Sequence, residues 1–133
     1  MTIHREETVY RSFVDAINRG DLPEAFGFCT EGIVFRPIGS HPDLGREFKG
    51  QQDVLENCWL RVFEHLDGGV ATTIRNIVAT DGMAMAEFSG TGTGRRGMPY
   101  NNEYVHVVHF TGDKISRITE YLDTALINEL MKQ

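Results

Sequence analysis

From Tyr100 to Asp123 the chain carries two long β-forming runs, Tyr100–Phe110 and Lys114–Asp123, that meet at Thr111-Gly112-Asp113-Lys114. A Gly-Asp pair between aromatic and β-branched runs marks a hairpin, so this stretch commits the chain to an antiparallel strand pair. Side chains alternate along a strand, which places Tyr104 with His106 on one face and Tyr121 with Asp123 on one face of the partner. Ile115 and Ile118 stand three apart, which breaks the period of two and predicts a β-bulge between them. Two earlier runs, Val70–Ala79 and Met83–Thr93, are set off by Asp81-Gly82 and Gly94–Pro99 and extend the hairpin into a meander.

The first half of the chain has a different period. Val9, Phe13, Ala16 and Ile17 recur at i, i+4, i+7 and i+8, predicting a helix over Ile3–Arg19 that Gly20 stops. A short helix follows over Leu22–Cys29, with Asp21 as its cap, Pro23 in its first turn and Glu24 at capping-box spacing. Gly32–Arg36 reads as a strand closed by Pro37, and a loop punctuated by Gly and Pro runs to Gly50, long enough to act as a lid. Val54, Leu55, Cys58, Trp59, Val62, Phe63 and Leu66 then predict a helix over Gln51–Leu66. A last helix is expected over Thr124–Met131. Helices first and an antiparallel sheet after them predict an α+β fold in which a curved sheet wraps the long helix and leaves a concavity.

At 133 residues and 15.0 kDa the chain suits one domain over 1–133. Its 41% hydrophobic and 24% charged residues are ordinary for a globular protein. A net charge of −6 with no basic block disfavours nucleic acid and anionic membranes. No apolar run approaches the roughly 18 residues of a membrane span, and the start lacks a secretory h-region. Cys29 and Cys58 both fall in helical patterns, so they read as reduced buried thiols in a cytoplasmic protein.

Four segments together resemble the NTF2-like superfamily in its SnoaL-like and ketosteroid-isomerase-like branch: the helix end Phe13-Val-Asp-Ala-Ile-Asn-Arg-Gly-Asp-Leu22, the strand and turn Thr30-Glu-Gly-Ile-Val-Phe-Arg-Pro-Ile-Gly-Ser40, the long helix, and the finish from Gly112-Asp-Lys-Ile to Glu-Tyr-Leu-Asp123. The resemblance implies a cone with a pocket between helices and sheet, a homodimer formed through the sheet, and no cofactor. It also implies what this chain has lost. The oxyanion-hole tyrosine and acid and the proton-moving aspartate of the isomerases align with Phe13, His106 and Arg36. Phe13 cannot donate, and arginine, with a pKa above about 12, cannot abstract a proton. Of the Asp-Arg-Asp set of limonene-epoxide-hydrolase-like members only Asp123 remains.

What is left is Arg36, Tyr104, His106, Tyr121 and Asp123. If both hairpin faces point inward, His106 and Asp123 converge as an acid/base pair with two phenols beside them, unless the bulge shifts the register. Asp123 has a second reading, as the cap of the following helix. Arg36 reads either as a clamp for a substrate carboxylate or enolate, or as a partner of Asp43, Glu47 or Asp123. Trp59, Phe63 and Phe13 read as ligand contacts or as core. His106 and His109 are an odd number apart and cannot share a metal on one strand face. Gly90-Thr-Gly-Thr-Gly94 ends a strand without opening a helix, so it is a strand end, not a nucleotide loop. Three function classes follow: a cofactor-independent isomerase, cyclase or lyase acting on an apolar carbonyl or carboxylate compound, a ligand-binding domain without turnover, or a structural dimer domain.

Overall fold

The hairpin at Gly112, whose φ of +60° suits glycine, joins the two central strands of a six-stranded sheet. The computed structural model describes residues 3–132. In chain order the elements are α1 (Arg5–Asn18), α2 (Leu22–Gly27), β1 (Cys29–Pro37), β2 (Phe48–Lys49), α3 (Gln51–Asp53), a π-helical segment (Val54–Trp59), α4 (Leu60–Phe63), β3 (Leu66–Thr80), β4 (Met83–Gly94), β5 (Pro99–Thr111), β6 (Lys114–Leu122) and α5 (Thr124–Met131). The strands order as β2-β1-β6-β5-β4-β3. Among the described strands only β1 and β6 pair in parallel.

The expected bulge is present. His109 pairs with Arg117 and Phe110 with Ile115, leaving Ser116 as the extra residue. Its hydroxyl donates to the His109 carbonyl at 3.2 Å, and both Ile115 and Ile118 are fully buried. Further register shifts fall between Cys29 and Val34, between Leu66 and Val70, and between Ile74 and Asn76. Each bends its strand, and together they curl the sheet around α1 and the helix of residues 51–63.

Two expectations are corrected. The helix begun at Gln51 is not a uniform α-helix ending at Leu66. Its middle turns are π-helical and Leu66 already belongs to β3, where Gly68 and Gly69 take φ of +87° and +77° that only glycine adopts cheaply. The loop after Pro37 contains β2, with Phe48 opposite Phe35. Phe48 is buried beneath the Arg46 guanidinium, 3.8 Å from the ring centroid, and Arg46 forks onto Asp53 at 2.9 and 3.1 Å. None of the described helices is long and apolar enough to cross a membrane.

Helix α1 is anchored to the sheet by a charged group. Glu6, buried at its first turn, accepts the Gly82 backbone N–H at 2.9 Å in the β3–β4 turn. That bond is the main reason its carboxyl is held below the ordinary glutamate range. A carboxyl depressed on folding contributes stability above its unfolded pKa and loses it as pH falls through the folded value. Urea midpoints should therefore drop between about pH 6 and about pH 3, and Glu6→Gln should flatten part of that drop. A variant with the wild-type pH dependence would remove Glu6 from the anchor.

Candidate active site

The inner face of the sheet is built by alternation. Along β5, Tyr100, Asn102, Tyr104, His106 and Val108 are buried, while Asn101, Glu103 and His109 are exposed. Beyond the bulge, the inward residues of β6 are Ile118, Glu120 and Leu122. His106 pairs with Glu120 and Tyr104 with Leu122. The inward side of β4 is nearly bare at its far end, where Gly90, Gly92 and Gly94 follow Ala86 and Phe88. A Cβ on Gly90 would stand 2.7 Å from Val70 and 2.9 Å from the Tyr104 ring, so glycine here makes the room that Tyr104 occupies.

These residues enclose a cavity of about 150 Å³, roughly the size that holds a benzene-sized molecule in a dry protein interior. Phe13 and Val14 of α1, Phe35 of β1, Trp59 of the π-helical segment, and Val62 and Phe63 of α4 give it apolar walls. Residues 38–41 with Thr124 and Asn128 of α5 also line it. Trp59 stacks on Phe26 at 4.9 Å and meets Phe35 edge-on at 5.8 Å. It is core on one side and cavity wall on the other.

At the inner end His106 is bonded through both ring nitrogens. Nε2 lies 2.8 Å from Glu120 Oε2 and Nδ1 lies 2.8 Å from Tyr10 Oη. A carboxylate only accepts, so Nε2 carries a hydrogen and donates it to Glu120, and in a neutral ring Nδ1 accepts from the Tyr10 hydroxyl. Burial, with the charge of Glu120 adding to it, pushes the Tyr10 phenol well above its usual range, so Tyr10 stays protonated. Phe88 and Phe35 meet the imidazole edge-on at 4.6 and 6.1 Å, which fixes its plane. Glu120 is the one formally charged side chain among the described residues lining the cavity. Its second oxygen, Oε1, has no hydrogen-bond partner among them.

The structure brings together His106, Tyr104, Trp59, Phe13 and Phe63, and it separates three other candidates from them. Asp123 is exposed and its carboxylate accepts the Ala125 and Leu126 backbone N–H groups at 3.0 and 3.3 Å, capping α5. Tyr121 is 45% exposed on the outer face. The cause is Ser116: counted by twos from Ile115 the inward set would be Thr119, Tyr121 and Asp123, and the extra residue moves it to Ile118, Glu120 and Leu122. Arg36 is turned outward between the inward-facing Phe35 and Pro37 of β1. Among the described residues it joins no ion pair, and Glu47 nearby is held mainly by Arg117 at 2.6 Å.

Tyr10, Glu120 and Tyr100 were not singled out in the sequence. Tyr10, Phe13, Val14 and Ile17 follow i, i+3, i+4 and i+7, a better helical face than the one starting at Val9, and Tyr10 is fully buried. Counting by twos from Ile118 instead of Ile115 would have found Glu120. Replacing Tyr10 by Phe leaves Nδ1 of a buried histidine without its partner. It should cost about 1–3 kcal/mol in urea unfolding, and a cost below about 0.5 kcal/mol would show that the contact does not hold the ring.

The sequence profile of the SnoaL-like domain matches residues 10–118. None of the curated protein sequences matches significantly. Solved structures do. An NTF2-like protein from Burkholderia pseudomallei superposes with a TM-score of 0.86 at 17% identity, covering 98% of this chain and 100% of that one. TerC, crystallised with polyporic acid, gives a TM-score of 0.83 at 16% identity over 98% of this chain and 100% of its own. PrhC from Penicillium brasilianum gives 0.80 at 18% identity over 96% and 86%. At these identities the likeness is one of fold. With the profile spanning most of the chain and an α+β cone of mostly antiparallel strands, the protein is a member of the SnoaL-like domain family of the NTF2-like superfamily.

Proposed function

We propose that the cavity binds a small, largely apolar carbonyl compound and that the protein moves a proton on it, as an isomerase, cyclase or lyase without a cofactor. One observation carries this reading: a single carboxylate, Glu120, faces a largely apolar cavity with one oxygen held by His106 and the other without a hydrogen-bond partner among the described residues. A carboxylate so placed can take a proton from carbon next to a carbonyl and return it elsewhere. His106, with both nitrogens bonded inside the protein, acts as a positioning residue that holds Glu120, and Tyr10 holds His106. Tyr104, Trp59, Phe13 and Phe63 would contact the ligand. A carbonyl ligand suits the cavity better than a carboxylate, because Arg36 faces away and no Lys or Arg lines the cavity among the described residues. That TerC was crystallised with polyporic acid supports a small organic molecule in a cone of this shape. The free, buried state of Cys29 and Cys58 supports a reducing, cytoplasmic setting.

The rival reading, a binding domain without turnover, draws on the same geometry, since His106 has no free nitrogen to offer. Proton exchange separates the two. In D₂O near neutral pD the protein should catalyse deuterium uptake next to the carbonyl of acetophenone, read by NMR, and Glu120→Gln should reduce the rate about 10²-fold or more while the ligand still binds. Binding without any uptake in the wild-type protein would favour the non-catalytic domain.

The outer face of the sheet supports a homodimer. Val78 is 66% and Met85 40% exposed, they pair across β3 and β4, and Met85 pairs in turn with Val107, so one apolar row crosses the sheet. Light scattering should give twice the 15.0 kDa chain mass, and Val78→Glu combined with Met85→Glu should return it to one. A monomeric wild-type protein at micromolar concentration would rule the dimer out.

A further inference from the structure

Tyr100 and Tyr104 stand on the cavity side of β5, 1% and 9% exposed, with their hydroxyls 3.2 Å apart. Asn102 Nδ2 donates to the Tyr100 hydroxyl at 3.0 Å. Donors can be counted here. Each phenol brings one O–H proton. One of the two is used between the hydroxyls, whichever of them donates, and the Asn102 bond uses a hydrogen of Asn102. One phenol proton therefore has no acceptor among the described residues. Burial pushes both phenols above their usual range, so the proton is not given up.

The Tyr104 ring is held in place, so its hydroxyl oxygen stays beside that of Tyr100. Phe88 lies flat on Tyr104 at 4.7 Å with rings 9° apart, and Gly90 approaches the ring so closely that a Cβ there would stand 2.9 Å from it. Asn102 is itself fixed, accepting from the Glu103 and Asp123 backbone N–H groups at 2.8 and 3.1 Å and donating to the Asp123 carbonyl at 3.2 Å. An O–H held this way in an apolar cavity is costly unless something accepts from it.

We infer that the remaining proton of the Tyr100–Tyr104 pair is a hydrogen-bond donor reserved for the ligand, and that the ligand is an uncharged molecule presenting one acceptor oxygen at this point on an otherwise apolar, ring-sized body. The charge part follows from the walls. Among the described residues the cavity is lined by one carboxylate and by no ammonium or guanidinium group, so an anionic ligand would meet the charge of Glu120 with no permanent cation to offset it. The inference rests on the reading of the cavity as a ligand site, and it adds where the ligand oxygen sits and which groups hold it.

Acetophenone and α-methylstyrene provide the test, because they share shape and size and differ by C=O against C=CH₂. Trp59, the single tryptophan of the chain, lines the cavity and reports binding of either by its fluorescence. The wild-type protein should bind acetophenone about tenfold more tightly, and the double variant Tyr100→Phe, Tyr104→Phe should bind both alike. Equal binding of the two by the wild-type protein would overturn the inference and leave the cavity reading standing. Failure to bind either would overturn both. A tenfold preference that survives in the double variant would place the donor elsewhere. Should the double variant not fold, acetophenone labelled with ¹³C at its carbonyl decides the matter in the wild-type protein: a downfield shift on binding, relative to its value in an alkane, supports the donor, and an unshifted signal overturns it.

Discussion

Glu120 is the residue around which the interior is arranged. The hydrogen bond that orients this carboxylate, from His106 Nε2 at 2.8 Å, in turn requires that the imidazole be held. Tyr10 holds the ring from behind and Phe35 and Phe88 fix its plane. Tyr10 is in place because α1 lies across the sheet, and α1 is anchored there by Glu6 on the β3–β4 turn. A chain of contacts thus runs from the first turn of the first helix to the one charged group in the cavity. The field of that carboxylate is felt by Tyr10, Tyr100, Tyr104 and Cys58.

The space for a ligand is made chiefly by missing side chains. At the end of β4 nearest Tyr100, the inward positions are glycines, and added Cβ atoms at Gly90 and Gly92 would run into Val70, Tyr104 and the Gly69 carbonyl. The same Gly90-Thr-Gly-Thr-Gly94 segment that reads as a strand end in the sequence is therefore also a shaping device. It lets β3 approach closely and gives Tyr104 its seat. Polar groups are few in this interior, and none of the described buried side-chain N and O atoms lacks a hydrogen-bond partner. The spare capacity that remains, a carboxylate oxygen and a phenol proton, is a donor and an acceptor of the kind that acid/base chemistry on a carbonyl needs.

Much of this was legible in the sequence, and most of the misses are errors of which face a residue occupies. The hairpin, the meander, the Asp21 cap and the last helix follow from local signals that tertiary packing reinforces. The bulge was legible too, from the spacing of Ile115 and Ile118. Its consequence was not carried through: one extra residue reverses the face of everything after it, which exchanged Glu120 for Asp123 and Leu122 for Tyr121. Arg36 lies outside the cavity for a different reason, since Phe35 is the inward residue of that part of β1. Tyr10 was missed because a helix face one residue away also looked apolar. The bond between Tyr10 and His106 joins residues 96 apart in sequence, a contact that no local pattern encodes.

The register of β6 is the claim on which the site stands, and the side-chain nitrogens of His106 report it directly. In a ¹⁵N spectrum of the histidine rings, Glu120→Gln should move the His106 signals, because it replaces the carboxylate that accepts from Nε2, while Asp123→Asn should leave them where they are. Signals that move with Asp123→Asn and ignore Glu120→Gln would put Asp123 inside the cavity and contradict the account.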